Sequence, residues 1–362
     1  MEFRQFLIIS IPKQICTLYL LQNRQNRLGG GYSWSLRYED IISVENLLEA
    51  WQEFTRGKRK RADVQDFERH LMHHVLMLHS NLASGTYQHG GYHHFKISDP
   101  KPRDIHKASV RDRLLHHAVY RKLYPCFDRT FIADSYSCRE GKGTHRAINT
   151  FRRYTYRASK NYTKTLWVLK CDIRKFFASV DQQILLEVVG EYIRDERVHK
   201  LIANVVGSFN SGIAGKGLPL GNLTSQLLVN IYMNEFDQFV KHKLKVKYYV
   251  RYADDFVLLS EDKQQLLRAL PYIEVFLWER LKLTMHPNKV FLKTLASGVD
   301  FLGWVHFTDH RVLRTATKRR MFRRIEEMNA KEETVTSYLG LLSHGNTKKL
   351  QKQVLAKAKG EC

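Results

Sequence analysis

At 362 residues with 43% hydrophobic content, the chain is too long and too apolar for a generally disordered protein and has the mass for two or three lobes. Lys and Arg total 59 against 36 Asp and Glu, a net charge of +23, which points to a polyanionic partner and most simply to nucleic acid. Cys16, Cys126, Cys138, Cys171 and Cys362 lack Cys-x-x-Cys spacing and the 17 histidines have no cysteines at zinc-site distances, so a disulfide framework and a structural zinc are not expected.

The apolar stretch from Phe6 to Leu21 resembles a signal segment. Pro12-Lys13-Gln14 interrupts it, no small-residue cleavage site follows, and it is too short to span a membrane. A cytoplasmic protein is expected, with residues 1–37 an extension of uncertain status set off by Gly29-Gly30-Gly31. Apolar spacing predicts helices over Ile42 to Arg56 and Asp66 to Leu82, and alternation predicts an extended segment over His93 to Ser98, followed by a turn bracketed by Pro100 and Pro102. A further helix is expected from Val110 to Tyr124, stopping at Pro125. The near-continuous apolar run Thr165 to Ile173 reads as a buried strand ending on a carboxylate. A helical span over Gln182 to Gly207, a glycine-rich loop from Gly212 to Gly221 and a long helix from Asn222 to Lys245 come next. Then follow a hairpin, a helix over Lys263 to Leu281, a short strand pair near Val290 and Phe301 to Val305, and a basic helical tail from His310. Basic clusters recur at Arg56 to Arg61, Lys101 to Arg113, Lys318 to Arg324 and Lys348 to Lys359. Each alone is compatible with a solvated face, while their recurrence favours a long positive channel with salt-dependent binding.

The hairpin carries Tyr252-Ala253-Asp254-Asp255 at its bend. Asp-Asp is a common turn pair, so a solvated turn is one reading; the other is that two adjacent carboxylates stay ionised because a divalent cation sits between them. Asp172, on the end of the earlier strand, decides for the second. Three carboxylates without histidine or cysteine suit hard ions such as Mg2+, and are the ligand set of a two-metal phosphoryl-transfer site.

Leu169 to Phe177 (LKCDIRKFF), Gly217 to Gln226 (GLPLGNLTSQ) and Tyr252 to Asp255 resemble, in order and spacing, the palm motifs of reverse transcriptases. Pro100 to Arg113 and Ser135 to His145 are similar to the fingers blocks of group II intron-like members, and Met285 to Lys289 and Asp300 to Trp304 to later palm blocks. The resemblance covers roughly residues 85–305. It implies an α+β right-hand polymerase: fingers over 38–164, a palm with an antiparallel sheet over 165–305 and a short basic helical thumb over 306–362. It also implies RNA-templated DNA synthesis from dNTPs with two Mg2+ ions, for which Mn2+ is a possible substitute. Asp172, Asp254, Asp255 and the Ile173 carbonyl would hold the metals. Phe177 falls at the position that excludes a ribose 2′-hydroxyl, and Arg103, with Lys96 and Lys101 as further candidates, at the triphosphate. Lys289 would assist the leaving pyrophosphate and Gly221 would let backbone approach the nascent base pair. Plainer roles stand beside these: core packing for Phe177, pairing of Arg103 with Asp99 or Asp104, a surface position for Lys289, and a template-contact or packing loop for Gly141 to Thr144.

Where many members have glutamine before the glycine and proline after the serine, this chain has Leu220 and Gln226, as in the reverse transcriptases of diversity-generating retroelements. That subtype implies copying that is error-prone at template adenines, a structured template RNA with its primer and cDNA, and a small basic oligomeric accessory variability protein as partner. The alternatives are a bacterial defence-associated or unclassified reverse transcriptase and, from another class, a non-catalytic maturase-like RNA-binding protein.

Overall fold

The computed structural model describes residues 36–98 and 102–358. The Phe6 to Leu21 stretch, Asp99, Pro100 and Lys101 lie outside the described residues.

The N-terminal third is helical: α1 (Tyr38–Ile42), α2 (Val44–Thr55), α3 (Ala62–Arg69), α4 (Leu71–Ala83), then the antiparallel ribbon β1 (Tyr92–Ile97) and β2 (Arg103–Ala108), then α5 (Val110–Asp128) and α6 (Thr144–Ala158). The helix expected over Asp66 to Leu82 is two helices, because His70 leaves the helical region at φ −122°, ψ 34°; Phe67 and His74 stack across the break at 4.4 Å. Proline was expected to end α5, yet the helix passes through Pro125 to Asp128. A proline costs one backbone bond there; the last turn holds because Phe127 and Tyr124 are buried in the core.

The central sheet has the order β4-β5-β3-β6 and is antiparallel throughout, with β3 (Trp167–Asp172), β4 (Tyr248–Tyr252), β5 (Asp255–Ser260) and β6 (Phe291–Thr294). Both faces are covered. Leu169, Cys171, Tyr249, Phe256 and Leu258 face the main core, and Val168, Val250, Val257 and Leu259 face a second cluster that includes Phe151 of α6. This two-sided burial explains the nearly unbroken apolar runs of β3 and β5. Between β3 and β4 come α7 (Phe176–Ser179), α8 (Gln182–Gly190), α9 (Glu196–Gly207) and α10 (Leu223–Gln238), the last extended by a π-type turn over Phe239–Lys243. The single span expected over Gln182 to Gly207 is thus divided, and Asp195 caps α9 by accepting from the amides of Arg197 and Val198.

After α11 (Lys263–Leu281) the expected strand pair does not pair with itself. β6 joins the central sheet beside β3, whereas β7 (Val299–Phe301), β8 (Trp304–His306) and β9 (Arg311–Leu313) form a separate three-stranded sheet. Helices α12 (Thr315–Glu327), α13 (Glu332–Leu342) and α14 (Lys348–Ala358) close a third cluster around Trp304, Met321, Ile325 and Leu342. None of the helices among the described residues is long and apolar enough to cross a membrane.

Candidate active site

The strand register brings the three carboxylates to one end of the central sheet. Asp172 is paired with Asp255 across β3 and β5, Tyr252 is paired with Asp255 across the hairpin, and the Ile173 amide donates to the Asp254 carbonyl at 3.1 Å. The two-residue turn puts Ala253 at φ 56°, a left-handed conformation that costs a residue with a Cβ about 1–2 kcal/mol. Arg251 holds it there: Nη1 donates to the Ala253 carbonyl at 3.1 Å, while Nε and Nη2 make a bidentate pair with Asp237 of α10 at 2.7 and 2.6 Å. Nη2 also donates to Ser135 Oγ, and the Tyr249 hydroxyl donates to Asp237 Oδ1. Arg251 and Asp237 are fully enclosed, so the turn is braced from the core side.

The carboxylates lie at different depths of charge compensation. Lys289 Nζ donates to Asp172 Oδ1 at 2.9 Å. Lys170 Nζ stands 3.3 Å from Asp255 Oδ2 and donates to the Asp300 carbonyl. Burial, and then the charge of Asp172, raise the Asp254 carboxyl above its ordinary range, against the opposing charges of Lys289 and Arg103. Burial pushes Asp255 up to about 7, resisted by Lys170 and reinforced by Asp172 and Asp254. Among the described residues no three His, Cys, Asp or Glu side chains converge closely enough to hold an ion as they stand; Asp172 and Asp255 each have a lysine beside them. Yet Asp255 Oδ1 is buried without any hydrogen-bond partner. An orphaned carboxylate oxygen beside two further carboxyls, all of them hard oxygen donors, fits a divalent cation.

The remaining predicted residues surround this end unevenly. Phe177, on α7, is half-buried, packs against the main core and meets Phe176 edge-on, and its carbonyl accepts from the Leu218 amide. Arg103 begins β2 and is exposed, and its charge acts on the Asp254 carboxyl; Asp104 pairs with His94 instead. Lys96, opposite Asp104 in the ribbon, is exposed and touches none of the three carboxylates. The glycine loop is stitched to β2: the His106 amide donates to the Leu220 carbonyl at 3.1 Å and Asn222 Nδ2 donates to the His106 carbonyl at 2.9 Å. Gly221 has φ 110°, and a Cβ there would meet Ile105 Cγ2 at 3.0 Å, so the chain's own packing already demands glycine. Gln226 lines a cavity between this loop and the helices, with Lys58, Lys107, Arg113 and His117.

Sequence reasoning missed Lys170, Arg251 and Asp237. Each is a charged residue largely withdrawn from solvent, and such a residue calls for a partner.

An antiparallel sheet with paired carboxylates at one end, beside a basic ribbon, is an arrangement that suits metal-assisted nucleotidyl transfer. The family model for reverse transcriptase (RNA-dependent DNA polymerase) matches residues 97–306, and the chain belongs to that family. It is 26% identical over 283 residues to Protein YkfC of Escherichia coli strain K12, covering 67% of this chain and 72% of YkfC. It is 22% identical over 292 residues to the group II intron-encoded protein LtrA of Lactococcus lactis subsp. cremoris, covering 62% of this chain and 47% of LtrA. A telomerase from Candida albicans matches with a TM-score of 0.48 at 12% identity, over 64% of this chain and 46% of that one. The chain therefore spans about half the length of LtrA and of the telomerase.

Proposed function

We propose that this RNA-directed DNA polymerase copies a structured retroelement RNA into cDNA with relaxed selection at template adenines, as the reverse transcriptases of diversity-generating retroelements do. The observation that carries the reading is the loop Gly217 to Gln226, with Leu220 where many members have glutamine and Gln226 where they have proline. An apolar side chain beside the nascent pair gives no hydrogen bond, which leaves discrimination to pairing and shape. Residues 38–164 act as fingers, 165–305 as palm and 306–362 as thumb.

Asp172, Asp254, Asp255 and the Ile173 carbonyl hold the divalent ions, which, when bound, activate the primer hydroxyl and stabilise the leaving pyrophosphate. Arg103, aided by Lys96 and Lys101, orients the triphosphate; its exposed position with its charge acting on Asp254 supports that role. Lys289 holds Asp172 until substrate arrives and then serves the pyrophosphate side. Phe177 closes the pocket against a 2′-hydroxyl. A small basic accessory protein assists in template handling.

The test is primer extension on a primed RNA with the purified chain, with and without the accessory protein, followed by sequencing of the product. Misincorporation concentrated opposite adenine is expected, and Leu220→Gln lowers it by about five- to tenfold, the net worth of one hydrogen bond at about 1 kcal/mol. Faithful copying opposite adenine by the parent enzyme defeats the subtype and favours a defence-associated enzyme instead.

A further inference from the structure

The far end of the central sheet also carries concentrated charge. Opposite the carboxylate turn, where Tyr248 pairs with Leu259 and Trp167 with Ser260, a cleft of about 720 Å³ opens between α6, the segment after α10, and α11. It is lined by Arg157 of α6, Lys160 in the turn after it, Lys245 and Lys247 before β4, and Arg268 and Tyr272 of α11. Five to six strand residues separate it from the carboxylates, roughly 17–20 Å at the rise of a β-strand, so a primer terminus at the catalytic end does not occupy it.

Its charge is not internally cancelled. Lys160 pairs with Glu261 and Arg268 with Asp262, both in exposed ion pairs. Arg157 and Lys245 have no carboxylate partner among the described residues, and Lys247 Nζ meets only the Tyr248 ring, 5.4 Å from its centroid. Lys245 is presented by a left-handed backbone, φ 51°. Tyr272 is 39% exposed, an aromatic face left open beside cations. Unpaired cations around an open ring match a phosphate backbone with a splayed base. That combination belongs to unpaired RNA loops, since a duplex keeps its bases stacked inside.

We propose that this cleft is a second RNA-binding site, which holds an unpaired loop of a structured RNA through its phosphates on Arg157, Lys245 and Lys247 and through one base stacked on Tyr272. The inference deepens the reading of the chain as an enzyme working on structured RNA, and it assigns to this cleft the part of the RNA not being copied.

The experiment uses the full chain with the variants Arg157→Gln/Lys245→Gln/Lys247→Gln and Tyr272→Ala, all at exposed positions. The probe is a fluorescein-labelled RNA stem-loop, with a blunt RNA duplex as comparison, titrated by anisotropy across a salt series. The triple variant is expected to weaken stem-loop binding by about tenfold and to flatten the log–log salt slope by about 2, at ~0.7 per lost single-strand phosphate contact. Tyr272→Ala is expected to weaken the stem-loop by about tenfold and leave the duplex unchanged. Extension of a short unstructured primed RNA stays within about twofold of the parent. Unchanged stem-loop affinity and slope in both variants overturn the proposal. So does a loss of polyglutamate binding with stem-loop affinity intact, which marks an acidic protein's site. A parent enzyme that makes no DNA but shows the variant-sensitive stem-loop binding sinks the polymerase reading and leaves the cleft standing.

Discussion

At one end of β4 and β5 two half-buried carboxyls lack full compensation, and at the other three exposed cations lack it. The same two strands thus separate a charge deficit of each sign. The difference lies in solvent. Cations at the open end are hydrated, whereas the half-buried carboxyls at the other end are partly desolvated, which raises their pKa and favours a neighbouring positive charge. Solvent access, as much as sequence, decides which end performs chemistry and which end holds.

The comparison breaks most visibly if the carboxylates are removed. Asp254→Ala/Asp255→Ala should lower primer extension by about 10³-fold or more, several kcal/mol of transition-state stabilisation. Stem-loop RNA binding by the same variant should not weaken, because the far cleft is untouched. Parallel loss of both would mean that the two ends are not independent.

The brace between the ends comes next. Arg251→Met leaves Asp237 enclosed without its partner and should cost about 3–5 kcal/mol, read as a lower urea midpoint. Arg251→Met/Asp237→Leu should recover a large part of that stability. Extension should stay depressed in the double variant, because the carbonyl of Ala253 still lacks its donor.

A smaller effect sharpens the electrostatic side. The Asp255 carboxyl is raised to about 7 from an ordinary value near 4. With a raised folded-state pKa, its contribution to stability is fully present below the unfolded value and is lost as pH rises through 7. In metal-free buffer the wild-type melting temperature should fall between pH 5 and 8 relative to Asp255→Asn, by an amount on the order of a few kcal/mol in stability. Added Mg2+ should restore it in wild type and not in the variant.

Much of the sheet was legible because burial on both faces writes unbroken apolar runs, and the α11 helix matches its expected Lys263–Leu281 bounds. The grouping of Asp172, Asp254 and Asp255 at one sheet end was legible because each was read at the end of a strand or its turn. Pro125 misled because a local rule about proline was outweighed by the burial of Phe127 two residues later, a tertiary effect. The pairing of β6 with β3 was hidden for the same reason. Nothing in a short run such as Phe291–Thr294 says which edge it will join. The lysine partners of Asp172 and Asp255 depend on register, which puts Lys170 diagonal to Asp255 and is not written in spacing alone.

The stitch between His106 and Leu220 has a consequence for how copying accuracy can change. Arg103 and His106 lie three residues apart on one strand of an otherwise exposed ribbon, so any tilt of that ribbon shifts the loop carrying Leu220 as well. On the roles proposed for Arg103 and Leu220, substrate capture and base discrimination then move together with the ribbon. A lineage of such enzymes can retune its error rate through ribbon residues that never meet a nucleotide, and an engineer can do the same while leaving Leu220 in place.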